Sequence, residues 1–172
     1  MDFRTVKLND AHKAHEAVPV AIALGGNLGE PERSLAAALV ALREGAALAD
    51  VRASTLRWTA PVGTVPQPQF LNGAVVATTT WPPQVLLAWL HAIEASLGRE
   101  RPPATETRWG PRSLDLDLLM YGGLQLTTAS LMLPHPELAH RRFVLEPLAE
   151  LAPDWVVPGT GATVASLLER LS

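Results

Sequence analysis

The stretch RWGPRSLDLDLLMY, residues 108–121, sets two aspartates among leucines directly after two arginines. In a strand, side chains alternate faces, so Leu114, Leu116 and Leu118 point one way and Asp115 and Asp117 the other, with Cα atoms about 6.6 Å apart. Two carboxylates at that spacing can reach one divalent ion or a close pair of ions, and hard cations such as magnesium take oxygen ligands while leaving positions for substrate phosphates. The same pair could instead be the wet face of a half-buried strand. Against that stands the depletion of aspartate in strands and the repulsion of like charges on one face. Arg99, Arg101, Arg108 and Arg112 crowd the segment just upstream. They could be solvated and paired with Glu100 and Glu106. Beside metal-holding carboxylates, however, arginine forks suit a polyanion that brings its own magnesium, a nucleoside triphosphate above all. His135, between Pro134 and Pro136, and Arg141 extend the cationic set in LPHPELAHRRF.

The elements that must position these residues can be read from periodicity. Val18–Leu24 is a buried strand, GGNLGEPE a glycine turn, and Glu32–Arg43 a helix with Leu35, Leu39 and Leu42 in step. Val51–Thr59 and Leu71–Thr80 are strands separated by the proline-rich loop 60–69. Val85–Leu97 is a helix, with Leu86, Leu90, Ile93 and Leu97 on one face. A second loop, 99–111, leads to the strand Leu114–Tyr121. After a turn at Gly122-Gly123, a short hairpin partner to that strand at 124–133, an irregular turn at 135–140, a short helix at 143–151 and a terminal helix at 163–171 complete the chain. The order is that of an α+β fold with a mainly antiparallel sheet and helices packed on it. Residues 1–17 are polar and aperiodic and are expected to form a mobile extension; 18–172 are expected to form a single domain.

Composition narrows the chemistry. The 172 residues are 48% hydrophobic, carry a net charge of −3 and contain no cysteine, which excludes disulfides, thiolate metal sites and cysteine nucleophiles. There is no basic excess of the kind a nucleic-acid binder shows and no apolar run long enough to span a bilayer. The N-terminal stretch lacks the apolar centre of a signal peptide, and the lack of cysteine suits a cytoplasmic protein. The lysines are Lys7 and Lys13, both in the N-terminal tail. A P-loop, which needs a lysine after its glycines, is therefore excluded, and phosphate must be gripped by arginine, backbone amides or metal.

Five ordered blocks, ALGGNLG, TAPVG with PQPQFLN, AIEASLGRER, RWGPRSLDLDLLMYGG and LPHPELAHRRFVLEPLAELAP, resemble the 6-hydroxymethyl-7,8-dihydropterin pyrophosphokinase family, HPPK, over nearly the whole chain beyond the tail. The resemblance implies a ferredoxin-like sandwich acting as a monomer, with ATP and 6-hydroxymethyl-7,8-dihydropterin as substrates. It implies transfer of pyrophosphate from ATP to the pterin hydroxymethyl group with release of AMP, in folate biosynthesis. Two magnesium ions would sit on Asp115 and Asp117. Arg99, Arg101, Arg108, Arg112, Arg141 and His135 would surround the phosphates, with Glu94 and Trp109 also on the ATP side. Arg101 and Arg112 would act catalytically with the two aspartates. Thr59, Ala60 and Val62 would meet the pterin edge, Asn72 would read its ring, Phe70 and Phe143 would sandwich it, and Trp109 and Asp115 would border it. A flat heteroaromatic ring independently calls for two aromatic faces and a carboxamide.

The chain departs from the family pattern in places. It has Gly26 where relatives often carry serine, a change expected to have little effect. Phe70 replaces a tyrosine and His91 a glutamine of some members, Pro136 replaces an aromatic, and 102–105 lengthen the arginine loop. Two other classes fit parts of the pattern: a non-catalytic ferredoxin-like module that binds nucleotide or RNA, and a different Asp-x-Asp nucleotidyl or phosphoryl transferase.

Overall fold

The structure, a computed structural model, describes residues 16–62, 66–98 and 112–171. The expected extension, apart from residues 16 and 17, and most of the arginine loop lie outside them. The main sheet contains β1 (Val18–Gly26), β2 (Ala49–Ala53), β3 (Arg57–Thr59), β4 (Phe70–Thr79) and β5 (Asp115–Tyr121), in the order β2-β4-β1-β5 with β3 also paired to β4. Every pairing is antiparallel. Helices α1 (Pro31–Glu44) and α2 (Pro83–Ser96) make the crossovers, each entered through a proline that has no N–H to leave unsatisfied. This is a ferredoxin-like α+β sandwich, as the element order requires.

Strand alternation sends two apolar sets to opposite faces. Val20, Ile22 and Leu24 of β1, with Leu116 and Leu118 of β5, pack against Leu35, Leu42, Leu86 and Leu90 of α1 and α2. Ala21, Ala74, Val76, Leu119 and Met120 lie on the other face, under α3 (Arg142–Leu151) and α4 (Val164–Glu169). Both faces are thus helix-covered, and the face shared by Asp115 and Asp117 is not an open solvent face. The register slips by one residue between Ala21 and Ile22, where Leu118 and Met120 pair with consecutive β1 residues. This bulge turns both Leu119 and Met120 toward α3 and α4.

The segment expected as one strand, 51–59, is two. Ser54 breaks it: its hydroxyl accepts the N–H of Ala74 at 2.9 Å while its own N–H goes to Ala74 O at 2.9 Å. Thr55 then turns out to the carboxylate of Glu150. Two short hairpins complete the fold, β6 with β7 (Leu126–Thr127, Met132–Leu133) and β8 with β9 (Val156–Val157, Ala162–Thr163). The first corrects the expectation that 124–133 pairs with the strand ending at Tyr121: it folds back on itself, β6 on β7, as a sheet of its own; the second has runs too short to show periodicity.

Candidate active site

Because β1 runs antiparallel to both neighbours, its C-terminal end meets the beginnings of β4 and β5. Gly25 pairs with Asn72 on one side and Asp115 on the other, and Ala23 pairs with Ala74 and Asp117. On the α3 face this gives a row Asn72–Gly25–Asp115 beside a row Ala74–Ala23–Asp117. Helix α3 covers the apolar end of that face and starts only at Arg142, so the polar end opens as a cleft of about 740 Å³ including its mouth.

The cleft collects most of the residues singled out in the sequence. Asp115, Asp117, Arg112 and Arg141 line it together with Thr59, Ala60, Val62, Phe70, Asn72 and Phe143. Arg112 pairs with Asp115, their side chains 28% and 15% exposed. Part of the like-charge problem between the aspartates is therefore answered by the protein's own arginine. Arg141, at the N-cap of α3, lies 3.7 Å from the Glu137 carboxylate, and its guanidinium carbon sits 5.7 Å from the Phe143 ring centroid. A cation over an aromatic face is held by the ring quadrupole, which ties Arg141 to the Phe143 ring.

Asn72 is 7% exposed, and its amide N–H donates to the Thr59 hydroxyl at 2.6 Å. Thr59 thus acts through its side chain, orienting the carboxamide. Gly25 makes room for that group, since a Cβ there would lie 2.8 Å from Asn72 Oδ1. Gly26 also stands in a close approach of two segments. A Cβ at that position in this backbone would lie 2.6 Å from the Ser113 carbonyl oxygen, so a side chain there requires the segment that leads into β5 to shift.

Two residues expected on the ATP side do not line this cleft. Glu94 is 1% exposed on α2, and its Oε1 accepts the N–H of Leu116 at 2.7 Å. It is buried under β5 and steadies the strand between the two aspartates, because a nucleotide cannot reach a carboxylate covered by the sheet. His135 does not line the cleft. Its N–H donates to Leu119 O at 2.8 Å, and its Nδ1 accepts the N–H of Glu137 at 3.2 Å. This leaves the neutral ring with its proton on Nε2, the tautomer able to donate to a phosphate oxygen. Arg99, Arg101, Arg108 and Trp109 lie outside the described residues.

One buried polar residue was not singled out. Asn27, 5% exposed, accepts the N–H of Arg112 at 2.9 Å through Oδ1 and donates through Nδ2 to Gln67 Oε1 and Pro68 O, both at 3.1 Å. Its place in GGNLG read only as a turn, and nothing in the sequence pairs it with residues so far along the chain.

As a metal site the donor set is lean. Among the described residues no group of three or more His, Cys, Asp or Glu could hold an ion. Two carboxylates on one face suit magnesium that arrives with phosphates and keeps most of its other ligands, rather than an ion caged by protein.

A ferredoxin-like domain with a paired-aspartate, arginine-lined cleft next to two aromatic rings has the makings of a transferase acting on a phosphorylated substrate. The family model described as 7,8-dihydro-6-hydroxymethylpterin-pyrophosphokinase (HPPK) matches residues 21–153, and the chain belongs to that family. A Synechocystis protein named 2-amino-4-hydroxy-6-hydroxymethyldihydropteridine pyrophosphokinase is 42% identical over 159 residues, covering 92% of this chain and 77% of its own. Proteins of the same name from Pseudomonas aeruginosa and Methylorubrum extorquens are 43% and 42% identical, covering 81% and 87% of this chain and 83% and 91% of theirs. The solved Plasmodium falciparum HPPK-DHPS shares the fold with a TM-score of 0.70 at 14% identity; the match covers 92% of this chain and 44% of that one.

Proposed function

We propose that the protein transfers pyrophosphate from ATP to the hydroxymethyl group of 6-hydroxymethyl-7,8-dihydropterin in folate biosynthesis. The alcohol oxygen attacks the β-phosphorus, the bond from that phosphorus to the α-phosphate oxygen breaks, AMP leaves, and the alcohol proton is lost to solvent. Membership of the HPPK family supports the reaction. The observation that supports its assignment to this cleft is that one cleft is lined by Asp115, Asp117, Arg112 and Arg141 together with Asn72, Phe70 and Phe143.

In this reading the pterin ring lies between Phe70 and Phe143. Asn72, oriented by Thr59, hydrogen-bonds its edge, and the backbone around Thr59, Ala60 and Val62 borders it. The hydroxymethyl group then points toward Asp115 and Asp117. These two residues would hold magnesium, two ions in the family pattern, which when bound neutralises phosphate charge and acidifies the alcohol. Arg112 and Arg141 compensate charge on the transferring group, and Arg99, Arg101, Arg108, His135 and Trp109 are assigned to the ATP side. Aligning the two reactants accounts for much of the rate, since phosphoryl transfer rests on positioning and electrostatics.

We assign the activity to a single domain, 18–172, acting as a cytoplasmic monomer without nucleic-acid or membrane partners. Among the described residues no helix is long and apolar enough to cross a membrane. The test is direct. Full-length protein with magnesium, ATP and hydroxymethyl-dihydropterin should release AMP and the pyrophosphorylated pterin in equal amounts. ADP as the nucleotide product, or pyrophosphate set free, would refute the assignment.

A further inference from the structure

The geometry points to Asn27 as a positioning residue that clips the two half-sites of the cleft together. It stands one residue beyond β1, the strand between β4 and β5, where the segments entering both neighbours converge. On one side, its backbone N–H donates to Arg112 O at 2.8 Å and its Oδ1 accepts Arg112 N–H at 2.9 Å, a two-bond clasp on a single residue. On the other side, Nδ2 donates to Gln67 Oε1 and Pro68 O at 3.1 Å each. Arg112 leads directly into Asp115 and Asp117. Gln67 and Pro68 lead directly into Phe70 and Asn72.

Only a carboxamide serves here. The Arg112 side needs an acceptor, and the Gln67–Pro68 side presents two acceptors and so needs donors. Asn27 is 5% exposed, so water is a poor substitute for either set. A flanking glycine completes the arrangement, since Gly26 lets the Ser113 carbonyl approach so closely that a Cβ would sit 2.6 Å from it. The consequence is a fixed distance and angle between the phosphate-handling and ring-binding ends, on which an in-line reaction depends more steeply than either binding step does.

The inference rests on the assignment of the two half-sites given above, and its test separates the two. Asn27→Ala removes both sides of the side-chain clip. Asn27→Asp keeps the acceptor toward Arg112 and the backbone bond but turns the donors into acceptors facing Pro68 O. For each full-length variant, kcat at saturation is measured alongside the Kd of the magnesium complex of α,β-methylene-ATP and the Kd of 6-hydroxymethylpterin. Both variants should lose about 10- to 100-fold in kcat, the scale set by a misplacement of about an ångström, with each Kd within about threefold of the native value. If Asn27→Asp keeps native kcat while Asn27→Ala does not, Asn27 supports only the Arg112 segment and the clip is refuted. A loss confined to one Kd and cured by saturation refutes it as well. Failure of both variants to fold makes Asn27 a folding residue and also overturns the proposal. None of these outcomes touches the half-site assignment, which fails instead if Asn72→Ala leaves pterin affinity unchanged.

Discussion

Gly25→Ala should weaken pterin binding while sparing the fold and the nucleotide. The added Cβ would lie 2.8 Å from Asn72 Oδ1, against 3.4 Å for ordinary van der Waals contact, so the oxygen must move by roughly 0.6 Å. Asn72 can yield only by giving up its 2.6 Å bond to the Thr59 hydroxyl, because both residues sit on paired strands. That bond contributes about 0.5–1.5 kcal/mol, and Ala is a better strand residue than Gly by a similar amount, so net stability should change by less than about 1 kcal/mol. Binding is more exposed to the change. The carboxamide sits at the back of the cleft, 7% exposed, and a ligand edge that loses it is left with unmet polar groups, at a cost of about 1–3 kcal/mol. Pterin Kd should therefore rise about five- to 150-fold. Titration calorimetry of the full-length variant with 6-hydroxymethylpterin, in the presence of a nonhydrolysable ATP analogue and magnesium, gives the number. The analogue's own Kd should stay within twofold. Unchanged pterin affinity in a variant that folds would show that Asn72 does not read the ring and that the glycine serves packing alone.

Asp117→Ala should cut turnover by about 10²–10³-fold, the cost of about 2.7–4 kcal/mol of lost transition-state stabilisation, while pterin still binds at the aromatic end; near-native turnover in magnesium would remove the metal role from this strand. Glu150 makes stability pH-dependent. The Thr55 N–H above all, then the Thr55 hydroxyl, hold its carboxyl below the ordinary value of 4.5, with burial opposing and Arg57 assisting. A depressed native pKa stabilises the fold fully above the unfolded value and loses that contribution as pH falls through the native one. The stability difference between the native chain and Glu150→Ala, followed by urea melts, should accordingly be constant near neutrality and shrink below pH 4.5; a difference that grows on acidification would contradict the geometry.

Much of the site was legible because strands obey a period of two. Asp115 and Asp117 had to share a face once Leu116 and Leu118 went to the core, and Phe70 and Asn72 follow the same rule about buried Leu71. The helices announced themselves through Leu35 and Leu42, Leu86 and Leu90, and the prolines that start them. Local breaks were harder to see. The 51–59 run alternates smoothly in sequence, and only the pairing of Ser54 with Ala74 and of Thr55 with Glu150 divides it. Glu94 could be read as a ligand because nothing in AIEASLGRER says that its carboxylate is enclosed beneath β5.

The sequence alone determined which residue types could do chemistry and which face of its own strand each occupies, since those depend on neighbours two to four positions away. Tertiary structure decided what each of them touches. Thr59 holding Asn72 follows from the pairing of β3 with β4, and Asn27 reaching residues 40 and 85 positions distant follows from the antiparallel register that brings the end of β1 beside the entries to β4 and β5. Register is a property of several strands burying their apolar faces together, and no single stretch of chain contains it.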